Sequence, residues 1–208
     1  MENYNVLATI GNHLPSRQYY FQSCITWNRI SSAESFSARM CDLGYAFDDV
    51  SPSAFLARDN FNYAIGLMNS KPFCRLLCVM NRGMKTETGN VQKVPFAKNQ
   101  QMKNIVEKIS ESNINIARTD WDSFETSWDF HHHPLICQVP TIAEAFEQWQ
   151  AECDERFNQL KANEEELNRI FIDIYGLQEE LTPEVEDKDI TVRKADIGRD
   201  IRSFISYA

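Results

Sequence analysis

Three consecutive histidines in an acidic, aromatic stretch are the first residues whose types suggest chemistry. His131–His133 follow Asp120, Asp122 and Asp129, and imidazole and carboxylate groups are common ligands of metal ions. Adjacent residues of an extended chain point alternately to opposite faces, so three in a row rarely converge on one ion. The aspartates suit a pair of acids for hydrolysis, but beside Ser and Thr they more often cap helices or form turns. We therefore predict no metal site and no hydrolytic centre here.

The motifs of several enzyme classes are missing from the sequence. The seven glycines are scattered, so none forms the Gly-rich loop that holds a phosphate. No serine lies in the Gly-x-Ser-x-Gly turn of the hydrolases. The six cysteines contain no Cys-x-x-Cys pair, whereas a zinc site normally uses two close pairs. We expect reduced thiols packed as small apolar residues, and the residues alone indicate no catalytic centre.

Charge is unevenly distributed along the chain. Residues 1–139 carry 13 Lys or Arg and 13 Asp or Glu, whereas residues 140–208 carry 8 and 17 and so hold the whole net charge of −9. Within the neutral part, residues 71–108 contain eight Lys or Arg against only Glu87 and Glu107. An anionic partner would therefore be attracted to residues 71–108 and repelled by the C-terminal third.

The N-terminal half combines a strand pattern with short helices. The aromatic and β-branched run Tyr19–Trp27 predicts a strand, and Phe61–Asn69 and Phe73–Met80 have helical spacing. Residues 84–96 predict a polar loop that leads into a short strand ending at Pro95. Residues 100–110 predict a short amphipathic helix.

The C-terminal third is dominated by one long helix. Thr141 and Glu144 form a Thr-x-x-Glu capping box, and the helical pattern continues to Gly176, a helix stop. Such a helix has about 34 residues and is about 50 Å long, so one small domain cannot cover it. Glu164–Glu166 lie opposite an apolar stripe formed by Leu160, Leu167, Phe171 and Ile174. We also predict a β-like segment at residues 190–192 and a closing helix, Ile197–Tyr207.

These patterns predict an α+β chain in four parts. They are a small mixed domain over residues 1–115, an extended aromatic and acidic connector over 116–140, the long acidic amphipathic helix over 141–177 and a short α/β tail over 178–208. No apolar run approaches the roughly 18 residues that a membrane span needs, and the N-terminus lacks a secretory signal. We expect a cytoplasmic protein without a membrane partner.

Several stretches resemble the adenine-specific DNA methyltransferases of the BREX phage-exclusion system (PglX). Two stretches are similar to the C-terminal part of that family: residues 163–185, NEEELNRIFIDIYGLQEELTPEV, and residues 189–208, DITVRKADIGRDIRSFISYA. A third stretch, WDSFETSWDFHHHPL (121–135), is similar to the connector that precedes the long helix of the family. Four segments are similar to its target-recognition region: ITWNRISS (25–32), SARMCDLGYAFD (37–48), GLMNSK (66–71) and GNVQKVPF (89–96). More distantly, residues 60–96 resemble type IIG restriction-modification enzymes and TaqI-like specificity domains.

The resemblance implies a fragment of a phage-defence enzyme that methylates N6 of adenine. Such enzymes hold S-adenosylmethionine in a Gly-rich loop and bind the flipped adenine through an Asn-Pro-Pro-Tyr motif. This sequence has no Pro-Pro pair, and the last helical pattern stops abruptly at Ala208. We expect the target-recognition region and the start of the C-terminal helical part without the catalytic domain. The chain alone would then be inactive and bind no cofactor, and S-adenosylmethionine would bind only in the full-length enzyme.

In this interpretation residues 20–100 contact double-stranded DNA. Asn90 and Gln92 are the candidates for reading adenine, because an amide pairs with both N6 and N7. Asn90 follows Gly89, so a turn role is an equal alternative. Phosphate contacts set affinity and not sequence, and for any one cation the alternative is a solvated surface charge. The predicted phosphate contacts are Arg29, Arg39, Lys71, Arg82, Lys85, Lys93 and Lys98.

The acidic helix over residues 141–177 predicts a protein partner. We expect it to pack on the missing methyltransferase domain, on another subunit of the defence system or on a second copy of the chain. A second hypothesis is a protein–protein interaction module with no DNA role of its own. A third, a free-standing methyltransferase, requires that the chain itself bind S-adenosylmethionine. Salt-dependent duplex binding separates the first hypothesis from the second, and calorimetry with the cofactor tests the third.

Overall fold

A computed structural model of the chain describes residues 17–30, 36–48, 50–81 and 83–208. Within these ranges the chain is α+β, as predicted, with one three-stranded antiparallel sheet and six α-helices. The strands are β1 (Cys24–Trp27), β2 (Ala38–Cys41) and β3 (Ser53–Ala54), in the order β2-β1-β3. The helices are α1 (Phe61–Met68), α2 (Lys71–Met80), α3 (Thr88–Val91), α4 (Lys103–Asp122), α5 (Ile142–Tyr175) and α6 (Ile197–Tyr207).

Strand β1 is the centre of the sheet and is buried along its whole length. Ile25 pairs with Met40 of β2 and with Ala54 of β3. The strand is shorter than the predicted Tyr19–Trp27, because Phe21 has a φ of 64° and extended chain cannot pass through that conformation. Residues 17–19 form a 3₁₀ turn instead.

Helices α1, α2 and α4 pack with the C-terminal half of α5 into one core under the sheet. Tyr63 of α1 meets Phe171 of α5 edge-to-face, with ring centroids 5.6 Å apart, and both side chains are fully buried. Helices α1 and α4 cross closely because Gly66 has no side chain. A Cβ atom there would lie 2.3 Å from the hydroxyl of Ser110.

The predicted long helix is confirmed. Helix α5 spans 34 residues, Ile142–Tyr175. The hydroxyl of Thr141 accepts a hydrogen bond from the Glu144 amide at 3.2 Å, and Gly176 ends the helix in the left-handed conformation, at φ 67°. Two smaller apolar clusters cover the rest of α5. One joins Phe157 and Leu160 to residues 185–192, and the other surrounds Trp149 and Cys153.

Three local predictions were wrong. Residues 84–96 contain no strand but the single-turn helix α3, which begins where Glu87 and Asn90 cap each other's backbone amides. Residues 116–122 are not an extended connector but the last two turns of α4, held by Asp120, whose carboxylate accepts a hydrogen bond from the Arg193 amide at 3.1 Å. Residues 190–192 bury apolar side chains against α5 but, within the described part of the chain, pair with no strand.

The predicted helices in residues 61–80 and 197–207 are confirmed as α1, α2 and α6. The four-part domain division stays a prediction, and its boundary at residue 115 lies inside α4. None of the helices in the described ranges combines the length and apolar character that crossing a membrane requires.

Candidate nucleic-acid interface

A basic loop is anchored to the C-terminal end of β1. We call residues 83–99 the basic loop. The Thr86 amide donates to the carbonyl of Arg29 at 2.7 Å, and the Thr86 carbonyl accepts from the indole of Trp27 at 2.9 Å. Ile30 and Lys85 form an isolated antiparallel bridge. Thr86 is fully buried, so the loop backbone is fixed to the sheet while its neighbouring side chains face solvent.

Arg29 is brought next to the basic loop by this anchoring. Its guanidinium donates to the carboxylate of Glu87 at 2.9 Å, with Arg29 largely covered and Glu87 exposed. An exposed pair of this kind contributes at most about 1 kcal/mol to stability. Glu87 therefore offsets part of the positive charge that Arg29 brings to this surface.

The two predicted adenine-reading residues differ in their surroundings. The side-chain oxygen of Asn90 accepts a hydrogen bond from the Glu87 amide at 3.0 Å, as part of the α3 cap. This is the turn role that the sequence left as an alternative. Gln92, two residues later, is exposed, and its side chain has no hydrogen-bond partner among the described residues. Of the two amides, Gln92 is therefore the freer to reach a base edge.

Three predicted cations lie along the basic loop. Lys85 and Lys93 are exposed and form no ion pair with a described carboxylate. Lys98 is exposed as well, and its ammonium donates to the side-chain oxygen of Asn60 at 2.7 Å, just before α1. Because Asn60 is neutral, Lys98 keeps its charge uncompensated.

The remaining predicted cations lie elsewhere. Arg39 is exposed on the edge strand β2. Lys71 starts α2, and its ammonium donates to the backbone carbonyls of Thr182 and Glu184, which fixes the C-terminal tail to the core. Arg82 lies outside the described residues.

Two apolar side chains of this surface were not predicted as site residues. Met84 precedes Lys85 and Phe96 lies between Lys93 and Lys98, and both are exposed. Apolar and aromatic groups among cations are typical of surfaces that bind single-stranded nucleic acid, where the bases are free to stack. Their interleaving with lysines was the sequence signal that could have identified them.

The acidic groups lie against a different part of the fold. On α5, Glu164 lies opposite the apolar stripe, as the sequence predicted, but it is only partly exposed. Burial, with Asp189 nearby, raises the pKa of Glu164 to about 7. Lys161 donates to Asp187 at 2.6 Å and lowers the pKa of that carboxyl. The acidic C-terminal tail (residues 178–208) thus folds along α5. The carboxylates of Glu164 and Asp187 lie where the tail meets α5 and not on the basic loop.

Other chemistry has little support in the described residues. No group of three His, Cys, Asp or Glu side chains among them is arranged to hold a metal ion. Burial raises the pKa of the Cys74 thiol to about 12 and that of Cys153 to about 11, so neither is a ready nucleophile. Two of the described glycines have structural roles. Gly66 packs inside α1 against Ser110, and Gly176 ends α5 in the left-handed conformation.

Comparison with known proteins identifies two relatives. The adenine-specific methyltransferase PglX of Lacticaseibacillus casei (strain Zhang) is 45% identical over 206 residues, which are 95% of this chain and 17% of that protein. The adenine-specific methyltransferase BrxX of Escherichia coli O9:H4 (strain HS) is 30% identical over 178 residues, 84% of this chain and 14% of that protein. No protein-family model matches the chain. The chain thus spans less than a fifth of either relative and is related to one segment of the adenine-specific methyltransferases PglX and BrxX.

Proposed function

We propose that this chain is a DNA-contacting segment of an adenine-specific DNA methyltransferase of a BREX-type phage-defence system and acts in the cytoplasm. The names of its relatives support the enzyme class. In this proposal the basic loop contacts double-stranded DNA and takes part in target recognition. Another part of the full-length enzyme binds S-adenosylmethionine and methylates the adenine.

One observation carries the proposal: the basic loop presents uncompensated cations from a fixed backbone. Lys85 and Lys93 are exposed and lack a described carboxylate partner. The hydrogen bond from the Thr86 amide of the loop to the carbonyl of Arg29 limits how far the loop can move. When such lysines neutralise DNA phosphates, the counterions condensed on the DNA are released. Gln92 lies beside Lys93, so a base-edge group and a phosphate contact are offered together.

A duplex titration at several salt concentrations tests the proposal. We expect the logarithm of the association constant to fall linearly with that of the salt concentration, with a slope of about −0.9 per phosphate contact. The double variant Lys85→Ala/Lys93→Ala should flatten the slope by about 1.8. Lys188→Ala is the matched control, because this exposed lysine pairs with Glu186 in the acidic tail and should leave binding unchanged. A duplex that fails to bind at low salt would refute the proposal.

Gln92 provides a separate test of base reading. Gln92→Ala should weaken binding to a preferred sequence by about 1–3 kcal/mol and leave the salt slope as it was. Competition among duplexes of different sequence measures the preference. An equal loss on all duplexes would show that Gln92 contacts no base.

A protein-binding module is the second candidate function. Trp128 is 97% exposed at the surface, and Ile197 and Ile205 of α6 are exposed as well. Exposed tryptophans are frequent anchors of protein interfaces. The partner would be the methyltransferase domain, another defence subunit or a second copy of the chain. Sedimentation of the chain over a range of concentrations tests self-association, which Trp128→Ser should reduce.

A further inference from the structure

A small cavity lies between α5, α6 and the turns that follow α4. Its volume is about 220 Å³. Phe124 and Trp149 form apolar walls, and His133, Arg193 and Ser203 contribute polar side chains. None of these residues belongs to the basic loop, so the cavity is a separate site.

His133 places a hydrogen-bond donor inside the cavity. The side chain is only 5% exposed, and its Nδ1 accepts a hydrogen bond from the Leu135 amide at 3.2 Å. An accepting Nδ1 carries no proton, so the neutral ring carries its proton on Nε2. Nε2 has no hydrogen-bond partner among the described residues, and His133 lines the cavity, so this donor is available to a ligand there.

Arg193 contributes a positive charge to the same cavity. Its guanidinium lies over the ring of Phe124, 4.2 Å from the centroid, and forms no ion pair with a described carboxylate. The charge of the neighbouring Arg199 is compensated by Asp200, because the Arg199 Nε donates to the Asp200 carboxylate at 2.6 Å. The Asp200 carboxylate also accepts a hydrogen bond from the Trp149 indole at 3.0 Å, so its oxygens already have partners. The charge of Arg193 is therefore the one available to a ligand.

The remaining polar groups define the ligand more closely. Thr126 and Ser203 line the cavity, and their hydroxyls have no hydrogen-bond partner among the described residues. Two carboxylates also line the cavity: Asp200, which is bonded to Arg199 and Trp149, and the exposed Glu125. Donors thus come from four segments of the chain. A phosphate has more oxygens to accept from donors on several segments than a carboxylate has, and a guanidinium is a favoured donor to phosphate.

We propose that this cavity binds a free phosphate group, either inorganic phosphate or the terminal phosphate of a small phosphomonoester. The guanidinium of Arg193, the Nε2–H of His133 and the hydroxyl of Ser203 donate to the phosphate oxygens. Because none of the lining residues belongs to the basic loop, phosphates of a duplex bound at that loop are not the ligand of this cavity.

Calorimetry of the chain with sodium phosphate, with adenosine monophosphate and with sodium acetate tests this site. We expect phosphate and the monoester to bind and acetate to bind at least about tenfold more weakly. Arg193→Gln should weaken phosphate binding about tenfold or more. Glu125→Gln should strengthen it about threefold, because the opposing charge is removed. Arg202→Gln, exposed on α6 and absent from the lining, should change nothing.

A second measurement keeps the test independent of folding. In ¹⁵N spectra of the histidine side chains, phosphate should shift the Nε2–H of His133 but not the signals of exposed His131 and His132. Saturation with a short duplex should leave phosphate binding in place. The proposal is overturned if phosphate gives no heat at millimolar concentration, if acetate binds equally well, if Glu125→Gln fails to strengthen binding, or if duplex and phosphate compete.

Discussion

Replacement of Glu164 by glutamine should stabilise the protein at alkaline pH and not at acidic pH. Glu164 lies on α5 against the acidic tail, where burial and the charge of Asp189 raise its pKa from 4.5 to about 7. The folded state therefore holds this proton more tightly than the unfolded state does. Stability from Glu164 is fully present below pH 4.5 and is lost as the pH rises through about 7.

The structure sets an upper bound on the effect. The pKa of Glu164 is about 7 in the folded state and 4.5 in the unfolded state, and this difference, multiplied by 1.36 kcal/mol, corresponds to about 3.4 kcal/mol of folding free energy. Relaxation of the tail and entry of water reduce this, so we expect a gain of about 1–3 kcal/mol for Glu164→Gln at pH 8. At pH 4.5 the native glutamate is protonated in the folded state, and the variant should match the parent within about 0.5 kcal/mol.

Urea unfolding followed by circular dichroism at pH 4.5, 6, 7 and 8 measures the effect. The free energy of unfolding of the variant is compared with that of the parent at each pH, so that the contributions of all other titrating groups cancel. Glu155→Gln is the matched control, since Glu155 is exposed on the same helix and should give no pH-dependent difference. A Glu164→Gln difference that is the same at pH 4.5 and pH 8 would refute the reasoning.

Three further substitutions test the packing. Gly66→Ala should destabilise the fold by about 1–3 kcal/mol in urea unfolding, because the new methyl group would meet the hydroxyl of Ser110 on α4. The control Gly89→Ala should have little effect, because nothing lies within 4 Å of its Cβ position. Asn168→Ala should cost about 1–3 kcal/mol and expose residues 177–186 to limited proteolysis, because this side chain bonds the backbone of both α2 and the tail. Trp149→Phe should lower the melting temperature by removing the indole donor to a buried carboxylate, and Trp128→Phe should not.

The elements that were predicted correctly are those whose signals are local. Helix α5 has a cap residue at one end, a glycine at the other and an apolar stripe between them, all within 36 residues. The end of α4 lacks such signals. Its acids and aromatics are typical of a loop, and it is helical because Asp120 is bonded to the backbone of Arg193, 73 residues away. Distant partners of this kind cannot be read from a local pattern.

The same limit applies to the candidate site. The basic character of residues 71–108 was visible in the sequence, but the role of each cation was not. Lys71 is of the same type as Lys85, yet its ammonium is bonded to carbonyls more than 110 residues away. The role of Asn90 was accessible from the sequence, because its hydrogen-bond partner, the Glu87 amide, is only three residues away. An Asn that follows a Gly is typical of a turn.

The position of Phe171 in the core has a consequence for biosynthesis. The sheet and helices α1 and α2 are complete by residue 80, but the side chains of Leu167, Ile170 and Phe171 that close their core come from α5. At about 5–20 residues per second, roughly 90 further residues take the ribosome about 5–20 s to add. During that interval the nascent chain exposes an unfinished apolar surface. Chaperones that hold such surfaces should therefore engage this protein before α5 emerges and release it afterwards.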